Sequence, residues 1–329
     1  MAQVGTIGQI EALLRARRFA EAARMLLAAA GGGDAAAAAE LAHWRIAGNI
    51  VRRDLAAARR LLALAGAKGD AGSALLHASF LAAGVGGRDD WPGAVAALTA
   101  LTPRDRGAAA QLRLIQAMDL DADGFPRSPP QARTLSQTPR VAIAEGFMTP
   151  AECAYLRAAG EPALEPSMVV DPASGKMVPH PVRSSDAAMF GVYAETPAVN
   201  ALNRRIASLS GTDPAQGEPL QLLRYAPGGE YKPHMDALPA EPNQRILTVL
   251  VYLSDDYEGG ETQFVRTGLA YRGRTGDALL FRNADADGRP DPMALHAGLP
   301  VTRGVKYLAS RWIRAERFTF PPPRPLLDL

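Results

Sequence analysis

The sequence contains one cysteine and five histidines in 329 residues. The single Cys153 excludes an intramolecular disulfide, and it excludes a zinc or iron–sulfur centre built on cysteines. Aromatic residues are also scarce, at 6%. The formal net charge is only +2, because 36 Lys and Arg residues are balanced by 34 Asp and Glu residues. This weak charge indicates neither a nucleic-acid partner nor an anionic membrane surface, and we expect neither.

Long apolar runs are absent as well. Charged residues or glycine interrupt each Ala/Leu stretch before it reaches the roughly 18 apolar residues that a transmembrane helix needs. The first 20 residues lack the basic start and apolar segment of a secretory signal. Low cysteine usage is typical of a reducing compartment. We therefore expect a soluble, cytoplasmic protein.

Residues 1–118 are rich in Ala, Leu and Arg, with apolar residues at helical spacing. The sequence that begins at Gly33 recurs at Gly69 with an offset of 36 residues, and Trp44 is matched by Phe80. A fixed period of this size is typical of stacked helical repeats. The pattern resembles Sel1-like members of the tetratricopeptide superfamily, while a generic Ala-rich helical bundle is the alternative. We predict that residues 1–118 form an all-α repeat domain.

Each repeat begins with the dipeptide Gly-Asp, at Gly33-Asp34 and Gly69-Asp70. Glycine tolerates the left-handed conformation that ends a helix, and aspartate accepts hydrogen bonds from the free N–H groups that begin the next one. We therefore expect a helix junction at each of these dipeptides. The repeats are expected either to contact a substrate or another protein, or only to pack on the rest of the chain.

Residues 119–139 are polar and Pro-rich, and we predict that they form a linker. From residue 140 onwards the chain contains short β-type runs such as LQLLRYA, RILTVLVYL and KYLASRWI, which Gly, Pro, Asn and Asp separate. Several such strands predict a β-sandwich or jelly roll for residues 140–329. One short helix is expected after Thr149, where Thr, Pro and Glu provide a helix start.

Two metal-ligand residue types lie two positions apart in the segment YAPGGEYKPHMD, at His234 and Asp236. Residues i and i+2 of an extended strand point to the same side, so these side chains converge. His296 is the natural candidate for a third ligand. Two imidazoles and one carboxylate leave about three positions of an octahedral metal open, which is the arrangement that non-haem Fe(II) oxygenases use. An HxD pair alone is also common at protein surfaces.

Lys306 follows His296 by ten residues and is expected to point inward from the next strand. A buried lysine needs an anionic partner, and a dicarboxylic co-substrate provides one. Such a molecule would chelate the metal at one end and pair with Lys306 at the other. We also expect apolar residues of the preceding β-type run to wall this pocket: Ile246, Leu247, Val249 and Val251.

Residues 140–318 resemble the prolyl 4-hydroxylase family of Fe(II)/2-oxoglutarate dioxygenases. The matching segments are RYAPGGEYKPHMD, QRILTVLVYLSDDYEGGETQF, GDALLFRNADADGRPDPMALHAG and PVTRGVKYLASRWIR, in the family's order. The resemblance implies a double-stranded β-helix, a jelly roll with flanking helices, after the N-terminal all-α repeats. It also implies Fe(II), 2-oxoglutarate and O2 as reactants, with L-ascorbate restoring the iron after uncoupled turnover.

The resemblance gives roles to individual residues. It implies that the catalytic metal ligands are His234, Asp236 and His296. It implies that 2-oxoglutarate contacts Tyr225, Thr262 and Lys306, although Tyr225 also suits a core aromatic and Thr262 an ordinary strand residue. Substrate-groove positions are implied for Glu218, Tyr231, Arg245 and Trp312, of which Arg245 and Trp312 also suit a structural role.

The segment DPASGKMVPHPVRSS, residues 171–185, resembles a mobile loop that folds over bound peptide, with Arg183 and Ser185 as its substrate contacts. The family residue expected between them is threonine, whereas Ser184 stands here. Together these features predict hydroxylation of a prolyl residue in a peptide or protein, with succinate and CO2 as co-products. Hydroxylation of a free amino acid or other small molecule is the second hypothesis. An inactive oxygenase fold that serves as a binding scaffold is the third.

Overall fold

The computed structural model of the chain describes residues 5–170, 177–179, 182–285 and 287–329. The predicted loop over residues 171–185, including His180, therefore falls partly outside the described residues. The chain divides into two compact units. The helical unit comprises residues up to Gly124 together with Glu195–Ala201 and Thr319–Leu329, and the β unit comprises Phe125–Ala194 and Leu202–Phe318.

The N-terminal part of the helical unit is a succession of short α-helices. They are α1 (Thr6–Arg15), α2 (Phe19–Gly31), α3 (Ala35–Ala47), α4 (Leu55–Ala67), α5 (Ala71–Ala83), α6 (Trp91–Leu101) and α7 (Arg106–Ala117). Each packs on the next, since adjacent helices along the chain contact each other throughout. Their core is formed largely by small alanine side chains with Leu26, Leu41 and Trp44 among the larger ones, so the helices approach closely.

The structure reproduces the 36-residue period of the sequence. Helix α5 begins 36 residues after α3, and α6 begins 36 residues after α4. The carboxylates of Asp34 and Asp70 accept hydrogen bonds from the N–H groups of Ala37 and Ser73, which caps α3 and α5 as predicted. Gly33 and Gly69 precede these caps with positive φ angles of 82° and 101°. The predicted helical region is therefore confirmed.

Residues 319–329, named here the tail segment, also belong to the helical unit. The N–H groups of Leu326 and Leu327 donate to the carbonyls of Asn49 and Ile50 at 2.8 and 2.9 Å. Leu327 forms a parallel β-bridge with Val51 in the loop between α3 and α4, and its side chain packs against the helical core. The tail segment thus adds a short extended strand to a loop of the first repeat.

The β unit contains the strands of the chain and two further helices. Its helices are α8 (Pro150–Gly160) and the part of α9 (Pro197–Ser210) that begins at Leu202. Its strands are β1 (Arg133–Gln137), β2 (Arg140–Ala144), β3 (Glu165–Pro166), β4 (Met168–Val170), β5 (Met177–Pro179), β6 (Asp186–Phe190), β7 (Leu220–Tyr225), β8 (Tyr231–His234), β9 (Arg245–Tyr252), β10 (Tyr257–Gly259), β11 (Thr262–Phe264), β12 (Ala270–Tyr271), β13 (Ala278–Arg282), β14 (His296–Gly298), β15 (Val301–Gly304) and β16 (Lys306–Arg314).

Two antiparallel sheets dominate the β unit. The larger sheet has the order β1-β2-β13-β9-β16-β7-β6-β3, and the smaller has the order β12-β11-β14-β8. Two ribbons, β10-β15 and β4-β5, complete the pairing among the described residues. From β7 onwards the chain passes repeatedly from one sheet to the other, since β7, β9, β13 and β16 lie in the larger sheet and β8, β11 and β14 in the smaller. This alternation confirms the predicted double-stranded β-helix.

The core of the β unit lies between the two sheets. Inward-facing residues of β2, β7, β9, β13 and β16 meet Phe264 of β11 in one apolar cluster. Phe264 and Phe281 pack edge to face, with ring centroids 5.2 Å apart. Because side chains alternate along each strand, this packing sets which residues of β8, β9 and β14 face the space between the sheets. That space contains the site described below.

Helix α8 and strand β1 can be compared with the predictions from the sequence. Helix α8 begins with the capping box that Thr149 and Glu152 form, as predicted. Strand β1 lies inside the segment predicted as a linker. Its polar residues suit the outermost strand of a sheet, which does not need an alternating apolar pattern. Across the described residues, every helix is too short or too polar to cross a membrane.

Candidate metal centre

Three potential ligands meet where β8 and β14 lie side by side. His234 ends β8, His296 begins β14, and the two are direct partners in the antiparallel register. Asp236 follows β8, and its Oδ1 and Oδ2 lie 3.6 and 3.7 Å from Nε2 of His234 and His296. One ligand atom from each side chain lies within 4.8 Å of the other two. The structure therefore brings the three predicted residues together.

Both imidazoles are oriented by the backbone carbonyl of the residue two positions before them. Nδ1 of His234 lies 2.8 Å from the carbonyl oxygen of Lys232, and Nδ1 of His296 lies 3.0 Å from that of Ala294. A carbonyl oxygen only accepts, so each Nδ1 carries a proton, and in the neutral imidazole Nε2 keeps a free lone pair. Both lone pairs are consequently available on the side where the Asp236 carboxylate lies.

The electrostatic environment keeps these groups in the protonation states that ligands need. Burial lowers the pKa of His234 to about 4, and the nearby His296 imidazole adds to the shift. Burial opposes ionisation of Asp236, but the imidazoles of His296 and His234 and a hydrogen bond from Thr248 together hold the pKa of its carboxyl below the ordinary value. At neutral pH, His234 is therefore neutral and Asp236 is ionised.

Two residues that the sequence reasoning missed support the carboxylate. The Thr248 hydroxyl donates to Oδ2 of Asp236 at 2.6 Å, and the Asn283 amide donates to the same hydroxyl at 2.8 Å. Thr248 and Asn283 are each only 1% exposed. A polar residue within the apolar run LTVLVYL, and one directly after ALLFR, were the available signals. Such outer contacts fix the orientation of a metal ligand.

Lys306 lies at the start of β16 and points into the same space, as predicted. It is 3% exposed, and its Nζ donates to the carbonyl of Gly260 at 2.6 Å. Burial lowers the pKa of Lys306 to about 7, although the charge of Glu261 partly opposes the shift. The lysine is thus a buried cationic group whose charge an anionic ligand would stabilise.

Tyr225 and Thr262 lie beside this lysine. Tyr225 is the antiparallel partner of Lys306 across β7 and β16, and Nζ of Lys306 lies 5.5 Å from its ring centroid. Burial raises the pKa of Tyr225 to about 12, so its hydroxyl remains a donor. The Thr262 hydroxyl lies 3.0 Å from the hydroxyl of Tyr252, a residue that the sequence reasoning did not single out.

One pocket joins the predicted ligands and the predicted co-substrate contacts. It is lined by Arg183, Leu223, Tyr225, Tyr231, His234, Asp236, Leu250, Thr262, His296, Gly298, Lys306, Leu308, Ser310 and Trp312. The prediction that Ile246, Leu247, Val249 and Val251 line the pocket was wrong. None of the four is among its lining residues, and β9 contributes Leu250 instead. β9 is buried on both faces along most of its length, so apolar side chains point to both faces of the sheet. Hydrophobicity therefore does not reveal which side chains face the pocket.

The predicted substrate residues fall into two groups. Tyr231, Arg183 and Trp312 line the pocket, whereas Glu218 and Arg245 are not among its lining residues in the described part of the chain. Arg245 lies over the Trp312 ring at 3.7 Å. Glu218 accepts from Nε and Nη2 of Arg245 at 2.6 and 2.9 Å, and from Nε of Arg314 at 2.6 Å. Arg245 thus packs on one face of the Trp312 indole, and Glu218 holds the Arg245 guanidinium in place.

The two residues predicted at the end of the loop, Arg183 and Ser185, contact different neighbours. The backbone of Arg183 forms a β-bridge with Tyr231, whose ring is stacked on His234 with 3.4 Å between centroids. The Ser185 hydroxyl lies 3.1 Å from that of Ser167. Nε of Arg183 and Nε1 of Trp312 are buried and have no hydrogen-bond partner among the described residues. Two N–H donors of the pocket are therefore available to a ligand.

The donor set fits Fe(II). Two imidazole nitrogens and one carboxylate, on one side of a common point, match the two-histidine, one-carboxylate arrangement of non-haem Fe(II) oxygenases. The three ligand residues line the same pocket as Lys306.

Comparison with known proteins agrees with this geometry. Residues 220–314 match the model of the 2OG-Fe(II) oxygenase superfamily. Prolyl 4-hydroxylase 1 of Arabidopsis thaliana is 37% identical over 218 residues, which cover 60% of this chain and 77% of the relative. The chain belongs to the prolyl 4-hydroxylase family.

Other members of the prolyl 4-hydroxylase family are similar. Probable prolyl 4-hydroxylase 7 of A. thaliana is 34% identical over 224 residues, which cover 61% of this chain and 71% of the relative. A solved viral collagen prolyl hydroxylase from Paramecium Bursaria Chlorella virus-1, a 2-oxoglutarate complex, matches 54% of this chain and 96% of its own, with 27% identity and a TM-score of 0.44. The protein is thus an oxidoreductase, and the predicted reactants Fe(II), 2-oxoglutarate and O2 are confirmed.

Proposed function

We propose that this prolyl 4-hydroxylase family member hydroxylates prolyl residues in a peptide or protein and converts 2-oxoglutarate and O2 to succinate and CO2. The observation that carries the proposal is one pocket in which the His234, Asp236 and His296 side chains and the buried Lys306 lie together. A metal-ligand face at one end and a buried cation at the other suit a dicarboxylate that bridges them. The family relatives named prolyl 4-hydroxylase support the choice of proline.

In this proposal His234, Asp236 and His296 hold the iron and are the catalytic residues. Bound Fe(II), together with 2-oxoglutarate, supplies the oxidising chemistry that replaces a C–H bond of the substrate by C–OH. The chain supplies the orientation. The Lys232 and Ala294 carbonyls accept from Nδ1 and so direct the Nε2 atom of each imidazole to the metal position, and the Thr248 hydroxyl holds the carboxylate of Asp236 in place. Buried side chains around them keep bulk water away from the reacting atoms.

The far carboxylate of 2-oxoglutarate is proposed to bind Lys306, with Thr262 and Tyr225 as hydroxyl donors. Lys306 donates to the Gly260 carbonyl and retains two further N–H groups for a carboxylate. Both hydroxyls lie on strands that adjoin the lysine or its pocket. An anion at this position would restore the charged form of a lysine whose pKa burial has lowered to about 7.

The free donors of Arg183 and Trp312 favour a polypeptide substrate. A peptide offers a series of carbonyl acceptors, and the preferred partner of a buried, unpaired N–H group is such an acceptor. Trp312 adds a flat aromatic face, opposite the one that Arg245 covers, against which a proline ring would pack. A free amino acid is the second candidate, because the Arg183 guanidinium also suits a substrate carboxylate. An inactive scaffold is less favoured, because the ligand set and Lys306 are all in place.

Two finer points belong to the same proposal. We assign α3–α6 to Sel1-like repeats on the basis of the 36-residue period, and we propose that the helical unit contacts a protein partner or the substrate. L-Ascorbate is proposed to keep the iron reduced. We also propose that the protein is located in the cytoplasm.

The test is succinate release from 2-oxoglutarate by the purified chain with Fe(II), ascorbate and either a proline-containing peptide or its matched alanine peptide. We expect turnover that depends on the proline peptide, and a gain of one oxygen atom in that peptide. Turnover with a free amino acid but with neither peptide would support the second candidate. Absence of any turnover while Fe(II) binds would overturn the proposal and support the scaffold.

A further inference from the structure

The tail segment contains the chain's run of three successive prolines, Pro321–Pro323. All three are exposed and lie outside helices and strands. Other prolines are part of regular elements, such as Pro150 in the first turn of α8 and Pro233 within β8. Successive prolines have no N–H groups and favour the extended polyproline II conformation, which leaves every carbonyl open to an outside donor.

The tract is held as a span between two attachment points within the helical unit. On one side, Nη1 of Arg53 donates to the carbonyl of Phe320 at 3.2 Å. On the other side, Leu326 and Leu327 are hydrogen-bonded to the loop between α3 and α4. The prolines between these points are therefore exposed to solvent while the chain on either side is attached.

The side chains that flank the tract are unusually apolar for a surface. Phe320, Leu326 and Leu329 are 52%, 62% and 48% exposed, and they are three of the seven exposed large hydrophobic residues in the described chain. They lie close to the proline tract in sequence, so a molecule that binds the tract can contact these side chains as well.

The pocket of the β unit has the complementary chemistry. The buried groups that lack a partner there, Nε of Arg183 and Nε1 of Trp312, are both N–H donors. A run of prolines provides acceptors and no donors, so it satisfies these groups without leaving a buried N–H of its own unpaired. The face of the Trp312 indole that Arg245 does not cover suits a proline ring.

We propose that the tract Pro321–Pro323 is a substrate of this same chain, hydroxylated by the catalytic pocket of a second copy. This inference rests on the proposed function. For each proline modified, one oxygen atom of O2 is inserted into a ring C–H bond to give C–OH, and the other enters succinate as 2-oxoglutarate loses CO2. O2 is reduced, and the proline carbon and 2-oxoglutarate are oxidised. We assign the catalytic role to a second copy, because the tract is attached to its own helical unit on both sides while its prolines are exposed to another molecule.

The test uses a full-length His234→Ala chain as substrate, mixed with a small amount of wild-type holoenzyme under ¹⁸O-labelled O2 with Fe(II), 2-oxoglutarate and ascorbate. Trypsin releases the tail with its prolines intact, and mass spectrometry counts the added label. We expect one to three labelled oxygen atoms, all on Pro321–Pro323, and none when the wild-type enzyme is left out. The substrate chain with all three prolines replaced by alanine is expected to gain none. If circular dichroism shows that His234→Ala is unfolded, Asp236→Asn replaces it.

A synthetic proline peptide in the same reaction separates the two proposals. Labelled synthetic peptide with an unlabelled tail would overturn the present inference and leave the proposed function standing. If neither becomes labelled, both are overturned. Label in the tail that appears in the His234→Ala chain only in the presence of wild-type enzyme supports the inference and shows that the reaction occurs between copies.

Discussion

The hydroxyl of Thr248 donates a hydrogen bond of 2.6 Å to the carboxylate of Asp236. Because Asn283 donates to the same hydroxyl, the proton of Thr248 is directed at the carboxylate. We expect Thr248→Val, which keeps the shape and removes the hydroxyl, to weaken Fe(II) or Mn(II) binding by about 10- to 100-fold, as is typical for outer contacts of metal ligands. Anaerobic calorimetric titration measures this. Thr248→Ser is the control and should bind within a few-fold of wild type. Equal affinities of the Val variant and wild type would contradict the role.

Replacement of any one of His234, Asp236 or His296 by alanine is expected to abolish turnover of 2-oxoglutarate. Each contributes one atom to a group within 4.8 Å, and none has a neighbour that substitutes for it among the described residues. The far-ultraviolet circular dichroism spectrum should stay unchanged, because the sheets do not depend on these side chains for their pairing. Full Fe(II)-dependent succinate release from any of the three variants would refute the assignment.

Lys306 predicts a proton linkage to 2-oxoglutarate binding. Its pKa is lowered to about 7 by burial, so at pH 8 the lysine of the free protein is largely neutral. A bound carboxylate favours the charged form, so binding at pH 8 should take up close to one proton, and affinity should fall as pH rises above 7. Calorimetry in buffers of different ionisation enthalpy measures this uptake.

The matched variant for this linkage is Lys306→Met, which keeps the apolar stem and removes the charge. It should raise the 2-oxoglutarate requirement far more than the Fe(II) requirement, and its proton uptake should vanish. Uptake that persists in Lys306→Met would assign the linkage to another group.

Glu218 is expected to stabilise the fold as well as the Trp312 platform. Its buried carboxylate is shared by Arg245 and Arg314, so Glu218→Gln removes the anion that Arg245 pairs with and leaves Arg314 only the more exposed Glu241, at 3.5 Å. Removing one partner of a buried ion pair costs about 3–5 kcal/mol in free energy of unfolding, and we expect a loss near the lower end. Urea unfolding measures it.

The control for this substitution is Asp186→Asn, which removes a more exposed ion pair with Arg224. Such a pair contributes no more than about 1 kcal/mol. Equal losses from the Glu218 and Asp186 substitutions would contradict the buried role of Glu218.

Much of the site could be predicted because its signals are local in sequence. His234 and Asp236 are two residues apart beside a strand, and a period of two places them on one side. Lys306 begins β16 and is followed directly by Tyr307, Leu308 and Ala309, so a charged residue at the start of this apolar run indicates an inward role. The repeats could be predicted for a similar reason, since Asp34 and Asp70 carry the helix-start signal themselves.

The features that were missed depend on contacts distant in sequence. The sequence of β9 does not show which of its two faces lines the pocket. Leu250 and Thr248 could therefore be located only from the pairing of β9 with β13 and β16. Asn283 meets Thr248 across 35 positions of sequence. Helix α9 was missed although Thr196-Pro197 is a helix start, because the surrounding short runs resembled strands and turns.

The attachment of the tail segment has a consequence for the order in which the chain matures during synthesis. Nη1 of Arg45 donates to the carbonyl of Leu329, and these residues are 284 positions apart. A ribosome therefore makes the whole β unit between the first repeat and the strand that pairs with its loop. Until that strand emerges, the backbone edge at Asn49 and Ile50 is open to other extended peptides. The tail segment of a completed chain is thus expected to pair with this open edge of a neighbouring nascent chain unless a chaperone or rapid closure of the long loop prevents it.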